Sequence, residues 1–383
     1  MKTMLRVCIF IARREFFFMW RDKDLRFIML VGPLLGLLLF YAIYSRQFLT
    51  GIPTAVADLD RSSTSQELVK DILATENIQI TAYPGSYAEL EELIEKGEVV
   101  AGVVIPENYG KDVSLSRQTR VEMIVDGSNI IYATNATSAM LSASRTLSGR
   151  TGVRALVSRG IQPAQAKAAY QAVDFREEAW FNPSLNYAYF VVLALALNLW
   201  QQCCTLAACM NIIGETGAAS WRQVKALGLS RLRLFISKSA AQITTFMLIA
   251  MPLFFLAFAV FKLPLRCGFP VFFLFSLAFA TALHSVGTLA SSIARDAVNA
   301  TRFGMIIALP SFLVSGYTWP LEAMPQYVQI IAKMLPQTWY FPGLNLLAFK
   351  DPGWSFMSHF YLAFFIIAAV CYGTAAVIVA RRT

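Results

Sequence analysis

The sequence predicts an α-helical polytopic membrane protein with six transmembrane helices, a mixed α/β extracytoplasmic domain and short external re-entrant helices. Three observations carry this. Of 383 residues, 56% are hydrophobic and only 15% charged, whereas charged residues alone approach about 25% of a soluble chain. Mean hydropathy is +0.53. Apolar runs of roughly 20 residues, the length that crosses a hydrocarbon core of about 30 Å, recur along the chain, and one long stretch of mixed composition, 46–184, separates the first run from the second.

Residues 1–25 come first. Leu5, Ile9, Phe10, Phe16, Phe17 and Trp20 interleave with Arg6, Arg13, Arg14 and Arg21, the pattern of a basic amphipathic helix lying along the cytoplasmic leaflet. Such a helix is expected either as a plain anchor or as a lever touching a cytosolic partner. Transmembrane helix 1, 26–45, follows. Its apolar stretch is longer than the core of a signal peptide and no small-x-small cleavage site succeeds it, so it is expected to stay as an anchor.

The extracytoplasmic domain, 46–184, alternates strand and helix signals. Strands are predicted at 52–57, 78–83, 99–105 and 121–125, the last before the turn Asp126-Gly127-Ser128-Asn129. A helix at 63–74 is expected to carry a capping box of Thr64 and Glu67, and a second, at 86–96, ends at Gly97. From Ile130 to about Ser158 the Ala, Ser, Leu and Thr content with no proline predicts one long helix, broken near Gly160 and Pro163. Asp58, Asp60 and Asp126 stand at strand ends, where turn and cap roles outweigh a hydrolytic or calcium-binding carboxylate pair. Phe181-Asn182-Pro183 marks the return to the membrane.

Transmembrane helices 2–6 are placed at 185–208, 234–261, 269–294, 303–319 and 356–380. Between them lie a coupling loop, 209–233, and a segment, 320–352, cut by Pro320, Pro325, Pro336, Pro342 and Pro352 into short helices that must pack against the other spans. Lys2, Arg6, Arg13, Arg14, Arg21, Lys23 and Arg26 before the first span, with Arg222, Lys225, Arg231 and Arg233 in the loop, put both on the cytoplasmic side. Both termini are then cytoplasmic. The net charge of +9 gathers at that face, where anionic membrane lipids attract it, and implies no nucleic acid partner.

Little in the chain points to chemistry. None of the six cysteines lies in 46–184, so no disulfide framework holds that domain. Cys203, Cys204 and Cys209 read as small residues for helix packing and not as a metal site, and His284 and His359, the only histidines, are too far apart for a triad or a His-based metal site. No catalytic residue is assigned. Polar side chains inside spans are costly in lipid and face protein or a water-filled path. Asn198, Gln201 and Gln202 on the second span, with Gln242, Thr244, Thr245 and His284, read first as interhelical hydrogen-bonding groups; the three on the second span are also the candidates for a translocation path. In the loop, Ser220 would cap a short helix whose Trp221 and Leu227 form an apolar ridge flanked by Arg222 and Lys225, and Gly228 with Ser230 would stop it.

Several segments together resemble the permease subunits of ABC-2 type exporters, in the subgroup with a large extracytoplasmic insertion after the first span. They are Ala57-Asp58-Leu59-Asp60-Arg61-Ser62, Ala101-Gly102-Val103-Val104-Ile105-Pro106, Val125-Asp126-Gly127-Ser128-Asn129 and Phe181-Asn182-Pro183. The external re-entrant motif Ser315-Gly316, Pro320, Met324-Pro325 and Leu335-Pro336 is the most specific. In the loop, Glu215, Ser220 and Gln223 match the family pattern, whereas Gly217, Ala219 and Gly228 depart from it.

The resemblance implies a transporter subunit of a bacterial inner membrane, not an enzyme. It would pair with a second permease, identical or not, with the second and fifth spans at the dimer interface. A separate ABC ATPase, carrying ATP and Mg, would grip Glu215, Ser220, Trp221, Arg222, Gln223, Lys225 and Leu227 together with the N-terminal helix. The cargo would be hydrophobic or amphipathic, a drug, lipid or glycolipid, and a periplasmic adaptor is a further possible partner. The 383 residues hold no Gly-x-x-x-x-Gly-Lys-Ser/Thr phosphate loop of their own; Gly110-Lys111-Asp112 is the nearest approach. The competing expectation is a membrane-anchored receptor or scaffold whose extracytoplasmic domain binds a ligand or partner.

Overall fold

The computed structural model describes residues 2–21, 23–44, 50–75, 77–115, 117–170, 178–184, 186–214 and 231–381. They form two compact units: Met1–Ser45 with Ala179–Thr383, and Arg46–Glu178. The chain opens with α1 (Lys2–Arg21) and α2 (Lys23–Ile43). The second unit then runs β1 (Ile52–Asp58), α3 (Ser63–Leu73), β2 (Ile78–Ala82), α4 (Tyr87–Glu95), β3 (Ala101–Ile105), α5 (Tyr109–Ser114), β4 (Glu122–Val125), α6 (Ile130–Ser158) and α7 (Pro163–Tyr170). The first unit resumes with α8 (Tyr187–Cys209), α9 (Arg231–Phe255), α10 (Phe269–Ile293), α11 (Ala297–Ser311), α12 (Gln326–Lys333), α13 (Pro336–Phe349) and α14 (Trp354–Arg381).

The Arg46–Glu178 unit is a four-stranded sheet in the order β2-β1-β3-β4, parallel across the first two pairs and antiparallel at the last. Side chains alternate across a strand, so Ile52 and Val56 of β1 and Ala101, Val103 and Ile105 of β3 pack with Leu68 and Ile72 of α3 and with Ala136, Met140, Ala143 and Leu147 of α6. The opposite face carries Ala55, Ala57 and Val104, and these small residues let Leu90 of α4 settle onto the sheet. Gly102 is required there, because a Cβ would lie 2.6 Å from a Leu90 methyl carbon.

One predicted cap is replaced. The α3 N-cap is Ser62, whose Oγ accepts the Ser65 N–H at 3.1 Å, while Ser65 Oγ donates to Asp58 at 2.7 Å. The expected Thr64–Glu67 box does not form, and Glu67 pairs instead with Arg154 of α6 at 3.4 Å. Asp58 accepts the N–H groups of Asp60 and Arg61, Asp60 accepts that of Gly110, and Asp126 that of Ser128. All three aspartates are thus turn and cap residues. The break after α6 falls at Gly160, φ +86°, before Pro163 starts α7.

In the other unit five helices are long and apolar enough to cross a membrane: Arg26–Ile43, Tyr187–Cys209, Leu234–Val260, Phe269–Ile293 and Trp354–Arg381, among the described residues. The stretch expected as the fifth of six spans is shorter and shifted. Asp296 caps α11 by accepting the Asn299 N–H at 2.8 Å, so the helix starts at Ala297 and ends after 15 residues at Ser311, just past Pro310. A single 3₁₀ turn, Leu313–Ser315, continues it to Gly316.

The core of this unit is aromatic. Trp200, Phe246, Phe254, Phe272, Phe275, Phe279, Tyr340, Phe341 and Phe364 are all fully buried, and Phe279 stacks on Tyr340 with ring centroids 3.9 Å apart. Helices approach closely where residues are small: a Cβ on Gly287 of α10 would lie 2.5 Å from Ala208 of α8, and one on Gly304 of α11 would lie 2.8 Å from Cys209 Sγ. Cys209 therefore serves packing. The proline-cut stretch forms a 3₁₀ turn, Leu321–Ala323, then exposed amphipathic α12 and buried α13.

Candidate functional site

On α1, Ile11, Glu15 and Met19 are buried at four-residue spacing, while Phe10, Phe17, Phe18 and Trp20 are exposed. The buried stripe faces α9 and brings a carboxylate into the helix bundle. Glu15 Oε2 lies 3.4 Å from Lys238 Nζ of α9, both side chains nearly excluded from solvent. Glu15 Oε1 accepts a hydrogen bond from Gln242 Nε2 at 2.8 Å.

The polar chain runs further. Gln242 Oε1 lies 2.9 Å from His284 Nε2 of α10, and because an amide oxygen only accepts, that nitrogen carries the proton. His284 Nδ1 is then the acceptor for Tyr372 OH of α14 at 2.8 Å and Thr288 Oγ1 at 3.2 Å. Thr288 Oγ1 in turn accepts from Asn211 Nδ2 at 3.1 Å. Ser291 Oγ accepts the backbone N–H groups of Ile212 and Ile213 at 3.0 Å each. Every donor along Asn211–Thr288–His284–Gln242 points towards Glu15, so five elements, α1, α9, α10, α14 and the turn after α8, share one buried hydrogen-bonded line.

Gln201 forms a second node. It is fully buried, donates to Asn198 Oδ1 at 3.0 Å and to Ala308 O at 3.3 Å, and accepts from Gln337 Nε2 of α13 at 2.8 Å. This amide ties α8 to α11 and α13. Gln337 Oε1 is buried without a partner among the described residues. Asn198 and Gln202 are half-buried and linked to each other at 3.4 Å. Asn198 thus joins the three path candidates: Gln201 is buried and also bonded across to α11 and α13, whereas Asn198 and Gln202 keep partial exposure.

The Ser315-to-Pro336 motif builds a chain reversal. Ser315 is buried, donates to Phe312 O at 2.6 Å and accepts the Tyr317 N–H at 3.3 Å. Gly316 takes φ +84°, open to glycine at little cost. Tyr317 OH donates to Phe190 O of α8. Pro320 and Pro325 start the next two helical pieces, Met324 O accepts from Gln329 Nε2 at 2.9 Å, and Pro336 is the first residue of α13, where a missing N–H costs nothing. Phe181 carries two cations on its ring, Arg266 at 5.6 Å and Lys350 at 5.5 Å.

The seven loop residues Glu215, Ser220, Trp221, Arg222, Gln223, Lys225 and Leu227 lie outside the described residues. What the structure places is the start of that loop, Asn211 to Ile213, fixed on Thr288 and Ser291. Sequence reasoning missed Glu15 and Lys238. Two signals were available: Glu15 is the one acid in residues 1–21, and Lys238 falls inside an apolar run. Among the described residues no cluster of histidine, cysteine or acidic side chains could hold a metal ion.

Known proteins resemble this chain over nearly its full length. "Inner membrane transport permease YhhJ" of Escherichia coli is 22% identical over 369 residues, covering 90% of this chain and 94% of the relative. "Probable multidrug ABC transporter permease YbhR" of Escherichia coli is 20% identical over 327 residues, covering 85% of each. A shorter match, 30% identical over 67 residues and 18% of this chain, is to "Linearmycin resistance permease protein LnrN" of Bacillus subtilis. Residues 23–378 match the family described as "ABC-2 family transporter protein", a span that takes in both units, and the chain belongs to that family.

Proposed function

We propose that this chain is the membrane-spanning permease subunit of an ABC-2 exporter, working with a separate ATPase that binds ATP and Mg and with a second permease copy or homologue. The observation that carries the reading is the buried line from Asn211 to Glu15. It joins α1 to the start of the 209–233 coupling loop, the two places where the family resemblance puts the ATPase grip. A push on either end would be passed to α9, α10 and α14 through side-chain bonds that lie largely inside the helix bundle.

In this reading α11 with its 3₁₀ turn is a sixth, shorter span, both termini are cytoplasmic, and the Arg46–Glu178 unit stands outside the membrane. The permease carries no chemistry. ATP closure of the partner rocks the 213–230 loop and opens a path beside α8 and α11 for a hydrophobic or amphipathic cargo. The multidrug and linearmycin-resistance names of the relatives agree with such cargo.

Co-purification tests this. The full chain, expressed with its cellular background, should retain an ATPase whose hydrolysis rises on reconstitution, and Glu215→Ala with Trp221→Ala should abolish that rise. An ATPase-free preparation that still responds to an external ligand would instead favour a receptor.

A further inference from the structure

Within the Arg46–Glu178 unit lies a cavity of about 770 Å³, inside the roughly 300–1,000 Å³ range of small-molecule sites. Its floor is apolar, with Ile72, Val103, Met123, Met140 and Leu147. One wall is a single stripe of α6 from Thr137 to Ala155 at three- and four-residue spacing, about 27 Å long at 1.5 Å per residue. That stripe is rich in Ser and Thr, side chains too small to fill the space between helix and sheet.

The mouth carries charge of one sign. Arg117 and Arg120, on the segment between α5 and β4, are exposed and are the only charged residues lining the cavity among the described residues. Neither forms an ion pair with any of the described residues. Arg150 and Arg154 of α6, by contrast, are neutralised by Asp71 at 3.1 Å and Glu67 at 3.4 Å on α3. A cavity with an apolar floor along the α6 stripe and two lining guanidinium groups that pair with none of the described residues complements a molecule with a long apolar tail and one anionic head, because guanidinium forks bind carboxylate and phosphate oxygens bidentately.

We propose that this cavity binds a single-chain amphipath, its tail along the α6 stripe and its carboxylate or phosphate head on Arg117 and Arg120. The site belongs to this unit alone and stands whether or not the chain exports the molecule it holds.

The test uses the full chain in lipid nanodiscs with a palmitate bearing a tail diazirine, its monoalkyl phosphate counterpart, and the alcohol with the same tail. After photolysis, mass spectrometry maps the labelled peptides. Either anionic probe should label residues 137–155 at least about tenfold more than the alcohol, and the better of the two identifies the head. Arg117→Glu with Arg120→Glu, both exposed positions, should cut that labelling by a similar factor while leaving membrane-helix labelling and the circular dichroism spectrum unchanged; Met140→Trp, which places an indole across the cavity floor, should also lower it. Equal labelling by all three heads, indifference to the arginine reversal, or labels confined to the apolar helices of the other unit would each overturn the proposal.

Discussion

Glu15 of the N-terminal helix and Lys238 of α9 form an ion pair 3.4 Å long with each side chain only 6% exposed. Gln242 adds a hydrogen bond to the same carboxylate. A buried pair of this kind contributes little over an apolar replacement, but losing one member leaves a charge facing apolar surroundings. Glu15→Ala should therefore cost about 3 kcal/mol, and Glu15→Gln with Lys238→Met should recover most of it. Thermal unfolding of the detergent-purified chain by intrinsic fluorescence reads both. A Glu15→Ala protein with unchanged melting would mean the pair does not hold α1.

Gln201 has a different dependence. Its side chain serves Asn198, Ala308 and Gln337 at once, and Gln337 already has one oxygen unpartnered among the described residues. Gln201→Leu should destabilise the bundle by about 1 kcal/mol, in the range of interhelical hydrogen bonds within membranes. Gln201→Leu with Gln337→Leu should be milder than the sum of the two single changes, since both orphaned amides leave together. A double-mutant cycle on melting temperature measures the coupling, and strict additivity would refute the contact.

The close approach of α4 to the sheet gives a steric prediction. Gly102 has no room for a Cβ because Leu90, itself fully buried, sits 2.6 Å from where it would be. Gly102→Ala should cost about 1–3 kcal/mol, the range of core overpacking, and raise protease cleavage within 50–170. Adding Leu90→Ala to that variant should restore protection relative to Gly102→Ala alone, because truncating Leu90 makes room for the new methyl group.

How much of this was legible in the sequence follows from the range of the forces involved. The four strands and the Gly160–Pro163 break were readable within a residue or two, because alternation and turn chemistry are local. The fifth span was misjudged for a related reason: hydropathy locates an apolar run but not its cap, and Asp296 starts the helix six residues before the expected boundary. The capping box failed because Ser62, one residue outside the predicted helix, caps it first, leaving Glu67 free for Arg154. The Glu15–Gln242 contact joins residues 227 apart in sequence, and no periodicity carries that information. The family resemblance marked the ends of the polar line, α1 and the loop, but not the His284–Gln242 relay between them.

Asp60 supplies the pH prediction. Its carboxylate is held below the ordinary 3.8 chiefly by the Ser62 side chain, with further help from backbone N–H groups including Gly110 at the start of α5. Because the folded value is depressed, the ionised form is favoured by folding; that contribution is complete above the unfolded value and is lost as pH falls through the lower, folded one. The wild-type chain should thus lose protection of α5 and the Ser62 turn only as pH falls below about 4, whereas Asp60→Asn should be weaker at neutral pH and flatter across that window. Hydrogen exchange of the peptides covering 58–66 and 106–115, compared between the two proteins at pH 7 and pH 3, reads the difference directly. If the gap between them failed to narrow on acidification, the Asp60 carboxylate would not be what joins β1 to α5.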